Sequence, residues 1–76
     1  MDVQFVNLSI GFILGYLWDF GDGSPTSTLA NPLHSYAQDI VYSVSLTVYG
    51  LFGTSSSVTL PVDLTDRITD IVLVFV

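Results

Sequence analysis

Few residues of this 76-residue chain are of types that do chemistry. They are Asp19 and Asp22, the single histidine His34, and the hydroxyl run Ser55-Ser56-Ser57. Two carboxylates three positions apart suggest general acid–base work or a calcium site. Acid–base pairs need a cleft and shifted pKa values, and a thin β domain supplies little of either. Calcium takes six to eight oxygens, more than this pair brings, so Asp19 and Asp22 are weak calcium candidates. His34 has only Asp for company, which leaves a zinc site or a histidine-based triad short of parts. No nucleophile-elbow pattern surrounds the serines. Asp19-Phe20-Gly21 matches the magnesium motif of protein kinases by letters alone, in a chain far too short for a kinase. Gly21-Asp22-Gly23 has no βαβ unit behind it to make a nucleotide loop. The bland reading is a turn in which Asp22 steadies the loop and Asp19 bonds locally. No catalytic residue, resident metal or cofactor is expected.

The elements around these residues agree with a turn. Trp18 and Phe20 are two apart, so in a strand both rings point to one face. Gly21 and Gly23 adopt positive φ at little cost, and Asp22 between them can bond nearby backbone. The hexapeptide Trp18 to Gly23 therefore reads as a buried aromatic strand with a tight exit.

Those six residues, Trp-Asp-Phe-Gly-Asp-Gly, resemble the signature of the PKD (polycystic kidney disease) domain. Upstream, Val3, Phe5, Asn7, Ser9 and Gly11 resemble the strand and turn that precede it in the family. Asn31-Pro32 with His34-Ser35-Tyr36 resembles the family's Asn-Pro-x-His-x-Tyr segment. Tyr42 to Val48 resembles its Tyr-x-Val-x-Leu-x-Val strand. Together these matches cover residues 3–62. Two departures stand out: Ile40 replaces a family glycine, and the family's first strand is largely missing. The resemblance implies an all-β, immunoglobulin-like antiparallel β-sandwich of about seven strands. It also implies a binding or spacer module, not an enzyme. On it, Trp18, Asp19, Phe20, Gly21, Asp22, Gly23, His34, Tyr36 and Tyr42 form the structural motif. Tyr36 is expected to act like the tyrosine corner of such folds, tying a crossing loop through its hydroxyl.

Composition narrows the function further. The formal net charge is −6, from seven Asp and one Arg, with no Cys. Nucleic-acid binding is excluded, because phosphate neutralisation needs several cations on one face. Without Cys there is no disulfide and no thiolate metal site. Charged residues are 11% of the chain, against roughly 25% in a typical soluble domain, while half of it is hydrophobic. A domain this small leaves much of its surface outside, so other chains are expected to cover part of it. The apolar stretches Ile10–Trp18 and Ile71–Val76 fall short of the ~20 residues of a membrane-spanning helix, and no membrane insertion is expected. The start, Met1-Asp2-Val3-Gln4, lacks the basic region of a signal peptide. The chain is therefore expected to be a piece of a secreted protein, or a component that reaches the outside without secretion, such as one of a virion surface.

Periodicity gives the strands. Val3–Leu8 is a short one, and Gly11 and Gly15 bracket an apolar bulge or loop. Tyr16–Phe20 is the aromatic strand, and residues 21–32 form a long polar connection with a weak strand near Ser27–Leu29. Val41–Tyr49 alternates cleanly, with Tyr42, Val44, Leu46 and Val48 inward. Gly50-Leu51-Phe52-Gly53 is a hairpin tip, and Ser56–Leu64 returns. Pro61 has no N–H to donate, which places that return strand at a sheet edge. Ile68–Val76 reads as a last strand, apolar on both faces and so covered on both sides. The expected organisation is a sandwich over residues 1–64 and an apolar C-terminal strand over 65–76. That strand completes a sheet within the chain or in a neighbour.

The expectation for function is a non-catalytic subunit of an extracellular or virion-surface assembly: a decoration, fibre or surface protein. Its partners are other protein chains, copies of itself or a larger assembly, met through Leu51, Phe52, Ile68, Ile71, Leu73 and Phe75. The alternative is a carbohydrate- or protein-binding module excised from a larger secreted hydrolase or surface protein. In that case Tyr16, Tyr49 and Phe52 stack on glycans. Asn7-Leu8-Ser9 also matches the N-glycosylation pattern.

Overall fold

The computed structural model describes residues 2–9, 11, 13–66 and 71–74. It contains six strands among the described residues, against the seven or so expected: β1 (Asp2–Asn7), β2 (Gly15–Asp19), β3 (Leu33–Ser35), β4 (Val41–Tyr49), β5 (Ser55–Asp63) and β6 (Ile71–Val74). They form two three-stranded sheets, ordered β3-β1-β6 and β2-β4-β5. β1 pairs antiparallel with β3 and parallel with β6, and the second sheet is antiparallel throughout. This is an all-β sandwich of the immunoglobulin-like kind.

Alternation on each strand builds the core between the sheets. Val3 and Phe5 come from β1, Trp18 from β2, Tyr42, Val44 and Leu46 from β4, Val62 from β5, and Val72 and Val74 from β6; Phe20, Tyr36 and Leu64 complete it just outside the strands. Phe5 meets Trp18 at 5.1 Å and Phe20 at 5.3 Å between ring centroids, joining the two sheets. Each such ring removes about 150–250 Å² from water, worth roughly 4–6 kcal/mol at ~25 cal/mol/Å². For a domain this small, that one aromatic contact carries a large share of the driving force.

β6 pairs with β1 of its own chain, register Phe5 to Val72, and the N–H of Leu8 donates to the Val74 carbonyl at 2.8 Å. The expected cover on both faces does not extend to Ile71. Val72 and Val74 point into the core, whereas Ile71 is 59% exposed. In a sandwich each sheet turns one face to the core, so Ile71 and Val72 differ in burial even within an unbroken apolar run. Ile68 and Phe75 lie outside the described residues, and of Leu73 only the pairing with Val6 is described.

The weak strand near Ser27 reduces to a single bridge between Trp18 and Ser27, bonded in both directions. Asn31 and Pro32 tie the connection down to β1. The Asn7 N–H donates to Asn31 Oδ1 at 2.9 Å, and the Phe5 N–H to the Pro32 carbonyl at 2.9 Å. Asn7 in turn accepts from the Ser9 N–H through Oδ1 at 3.0 Å, a local turn within the glycosylation-pattern triplet.

Candidate functional site

The hexapeptide turn is built as a clasp. Asp19 Oδ1 accepts from the Gly21 N–H at 3.1 Å, which closes the exit from β2. Gly21 has φ +78°, and a Cβ there would lie 2.1 Å from the Ser43 carbonyl oxygen. Only glycine fits, for two independent reasons: the left-handed backbone and the close approach to β4. Asp22 then accepts from both the N–H and the hydroxyl of Ser24. Its second oxygen lies 2.8 Å from His34 Nε2. Burial works against ionising Asp22, but the bonds from Ser24 and His34 outweigh it and hold the carboxyl down to about 2.

His34 sits between rings. It stacks on Phe20 at 4.0 Å, with planes 6° apart, and meets Tyr36 edge-on at 4.6 Å. Tyr36 stacks on Tyr42 at 4.2 Å. The Tyr36 hydroxyl donates to the Phe20 carbonyl at 2.9 Å, and burial pushes its phenol well above the ordinary range. The Tyr42 hydroxyl donates to the Gln38 carbonyl at 3.0 Å. His34 and Tyr36 of the β3 segment thus hold both ends of the turn, Asp22 by its carboxylate and Phe20 by its backbone. The pairing of Asp22 with His34 was not read from the sequence. Their Asn-Pro-x-His and Asp-Gly motifs lie apart in the chain, and only the register of β3 on β1 brings them together.

Ser24, His34 and Asp22 superficially suggest a nucleophilic triad. The geometry is wrong for one. A triad places the carboxylate on one ring nitrogen and the nucleophile on the other. Here Asp22 and Ser24 both approach Nε2, the serine at 3.4 Å, and the serine hydroxyl is spent on Asp22. No group of three or more His, Cys, Asp or Glu side chains converges as metal ligands do among the described residues. A groove beside the turn is lined by Gly21, Asp22, Gln38, Ile40, Tyr42 and Ser43, and brings no further carboxylate or base to Asp22.

The most regular exposed surface lies elsewhere, on the outer face of β2-β4-β5. Register places three rows across it: Gly15, Tyr49 and Ser55; Leu17, Thr47 and Ser57; Asp19, Ser45 and Thr59. Ser43 and Pro61 extend it. From Ile40 to Val62 the chain carries no charged residue, in a molecule of net charge −6. The β4 and β5 part of the face, from Ser43 to Pro61, is therefore hydroxyl-lined and uncharged, with Asp19 on β2 and Asp63 at the end of β5 bordering it. At its end the β4–β5 connection forms a short 3-10 turn, Leu51–Gly53, in place of a simple hairpin tip. Thr54 braces it, with its hydroxyl donating to the Leu51 carbonyl at 2.8 Å and its carbonyl accepting from the Gly50 N–H at 2.9 Å. Phe52 stands on this brace 99% exposed, in left-handed backbone with φ 59°.

Of the three aromatic candidates for stacking, Tyr49 and Phe52 are exposed. Tyr16 is not available, because it packs against the core beside Val48. Its position follows from parity: Tyr16 shares the inward face with Trp18.

The chain matches the PKD domain over residues 1–65. It is similar to "Collagenase ColA" of Bacillus cereus, 50% identical over 46 residues that make up 60% of this chain and 5% of that protein. It is similar to the "Microbial collagenase" of Vibrio alginolyticus, 49% identical over 49 residues, 64% of this chain and 6% of that protein. A third relative is the "Pre-pro-metalloprotease PrtV" of Vibrio cholerae, 58% identical over 40 residues, 53% of this chain and 4% of that protein. The chain thus spans about a twentieth of the length of these relatives. With the Trp18–Gly23 clasp, the two sheets and the match over residues 1–65, the chain belongs to the PKD domain family.

Proposed function

We propose that this chain is a non-catalytic interaction module of a larger protein that works outside the cell, where it holds that protein to a macromolecular surface. The observation that carries the reading is the uncharged outer face of β4 and β5, ending in exposed Tyr49 and Phe52. Hydroxyl rows offer hydrogen bonds without charge, and the two rings offer desolvated anchors of the kind that dominate binding energy. The relatives favour this reading, since their names are those of collagenases and a metalloprotease and the matched stretch is a small part of each. They make a fibrous protein such as collagen the first ligand to try, and an insoluble glycan the second. A virion decoration or fibre subunit draws no support from these relatives.

The test is sedimentation of the chain with insoluble collagen fibrils and, separately, with chitin. Saturable binding is expected to one of them. It should weaken about tenfold or more in Tyr49→Ala or Phe52→Ala, roughly the 1–2 kcal/mol of an aromatic anchor. Because the chain carries no charge from Ile40 to Val62, binding through the β4 and β5 rows should change little between about 50 mM and about 500 mM NaCl. Absence of binding to either polymer, or binding that both variants leave intact, overturns the reading.

A further inference from the structure

We propose that the free edge of β5 is a docking seam for a second copy of this chain, paired antiparallel about a two-fold axis at Ser57. In sheet order β2-β4-β5, β5 is an edge strand and pairs only with β4 among the described residues. Which of its backbone groups face outward follows from two bonds that continue the ladder at its ends. The Leu64 N–H donates to the Ile40 carbonyl, and the Gly50 N–H to the Thr54 carbonyl. Pairs alternate between bonded and non-bonded along an antiparallel ladder. Even-numbered residues of β5 therefore spend their backbone groups on β4, and Ser55, Ser57, Thr59, Pro61 and Asp63 turn theirs to the open side. That parity also explains how β5 carries Pro61 without losing a ladder bond.

The open edge lacks the usual guards. From Ser55 to Leu60 there is no charge, no proline and no bulge, in a chain with seven Asp. Such an edge is a template for another strand. Proline then selects the register. With the axis at Ser57, Ser55 of one copy faces Thr59 of the other and Ser57 faces Ser57, so every residue in the seam supplies both its N–H and its carbonyl. With the axis at Thr59, Pro61 falls opposite Ser57 and Asp63 opposite Ser55, which forfeits donors and brings charge into the seam.

The exposed tip of β4–β5 favours a copy of this chain over any extended peptide. The Ser57 register carries the tip Leu51–Gly53 of one copy alongside Pro61–Asp63 of the other. In that register Phe52, 99% exposed on its braced turn, would come beside the exposed Pro61 of the other copy. An unrelated strand supplies no such tip. The seam is short and the two chains repel at long range through their net charges, so the dimer is weak and strengthens with salt.

Sedimentation velocity on the full chain tests this, from about 10 μM to about 1 mM protein and in about 50 mM and about 500 mM NaCl. The expected result is a monomer–dimer equilibrium that shifts toward dimer with protein and with salt. Ser57→Pro removes an outward N–H and no ladder bond, and should weaken association at least about tenfold; Phe52→Ala should weaken it too. Should Ser57→Pro fail to fold by circular dichroism, single cysteines in this cysteine-free chain decide. Ser57→Cys is expected to oxidise to a covalent dimer, since paired Cα atoms about 5.5 Å apart suit a disulfide, while the exposed control Ser43→Cys on β4 is not. A monomer throughout overturns the proposal and leaves the edge to a strand from another polypeptide. Equal oxidation of the two cysteine variants, or a dimer that Ser57→Pro leaves intact, also overturns it.

Discussion

The Tyr36 hydroxyl donates to the main-chain carbonyl of Phe20 across 2.9 Å, joining the end of β3 to the residue where the aromatic strand turns. The bond is buried, and Phe20 itself lies in the core. Its removal leaves a carbonyl without its partner in a place water does not easily reach. Tyr36→Phe keeps the ring stack on Tyr42 and deletes only the donor. A loss of about 1–2 kcal/mol is expected, and for a domain this size that lowers the melting temperature by roughly 4–16 °C. Thermal and urea unfolding followed by tryptophan fluorescence measure it. An unchanged midpoint means that the bond does not hold the turn.

The clasp of Asp22 on His34 and Ser24 makes stability depend on acid. The folded-state carboxyl is held down to about 2, against 3.8 for the free group. The unfolded state thus binds a proton at higher pH than the folded state does, and stability drops as pH falls through this range. The contribution of Asp22 is full above about pH 4 and gone once pH falls through about 2. Asp63, lowered by its bonds from Thr65, adds in the same direction. Comparison with Asp22→Asn isolates the clasp: the variant should be less stable at neutral pH and should lose less between pH 4 and pH 2. Ser24→Ala should flatten the profile more than His34→Phe, because the serine supplies the stronger bonds to the carboxylate. Parallel profiles for Asp22→Asn and the parent protein contradict the clasp.

How much of this was legible in the sequence depends on whether a feature is local. The strand Val41–Tyr49 declares itself through Tyr42, Val44, Leu46 and Val48, because period-two alternation is a property of one segment against one core. Pro61 marked an edge for an equally local reason, its missing N–H. The match of Asp22 to His34 was not legible, since it exists only once β3 lies against β1. Nor was the outward turn of Ile71: an all-apolar run does not say which of its faces the fold leaves uncovered. Tyr16, a stacking candidate by type, is instead packed against the core, and its parity with Trp18 already pointed it inward.

Gly21 makes a sharp backbone prediction. Its φ of +78° alone is a modest obstacle to other residues, but a Cβ there collides with the Ser43 carbonyl at 2.1 Å. Backbone on β4 cannot yield without disturbing its pairing with β5, where Ser43 lies opposite Pro61 and Ser45 opposite Thr59. Gly21→Ala should therefore cost about 3 kcal/mol or more, beyond the ~1 kcal/mol of an ordinary glycine replacement at positive φ. Gly23→Ala, at φ +79° with open space around it, is the matched control and should show only the smaller cost. Equal losses in the two variants would mean that the close approach to β4 contributes nothing.

Phe52 sets stability against binding. A bulky side chain in left-handed backbone costs about 1–2 kcal/mol, and full exposure returns nothing from the ring within the isolated chain. Asparagine tolerates that backbone better and is at ease in water. Phe52→Asn should therefore raise stability by up to about 1 kcal/mol, read as a higher urea midpoint with unchanged slope. If the ring serves contacts with a ligand or with a second copy, the same variant should lose that binding while folding more firmly. Strain that persists at an exposed site with no local return is what a contact surface leaves behind. A variant less stable than the parent would instead show that Phe52 contributes to the fold, and the tip would lose its standing as a binding element.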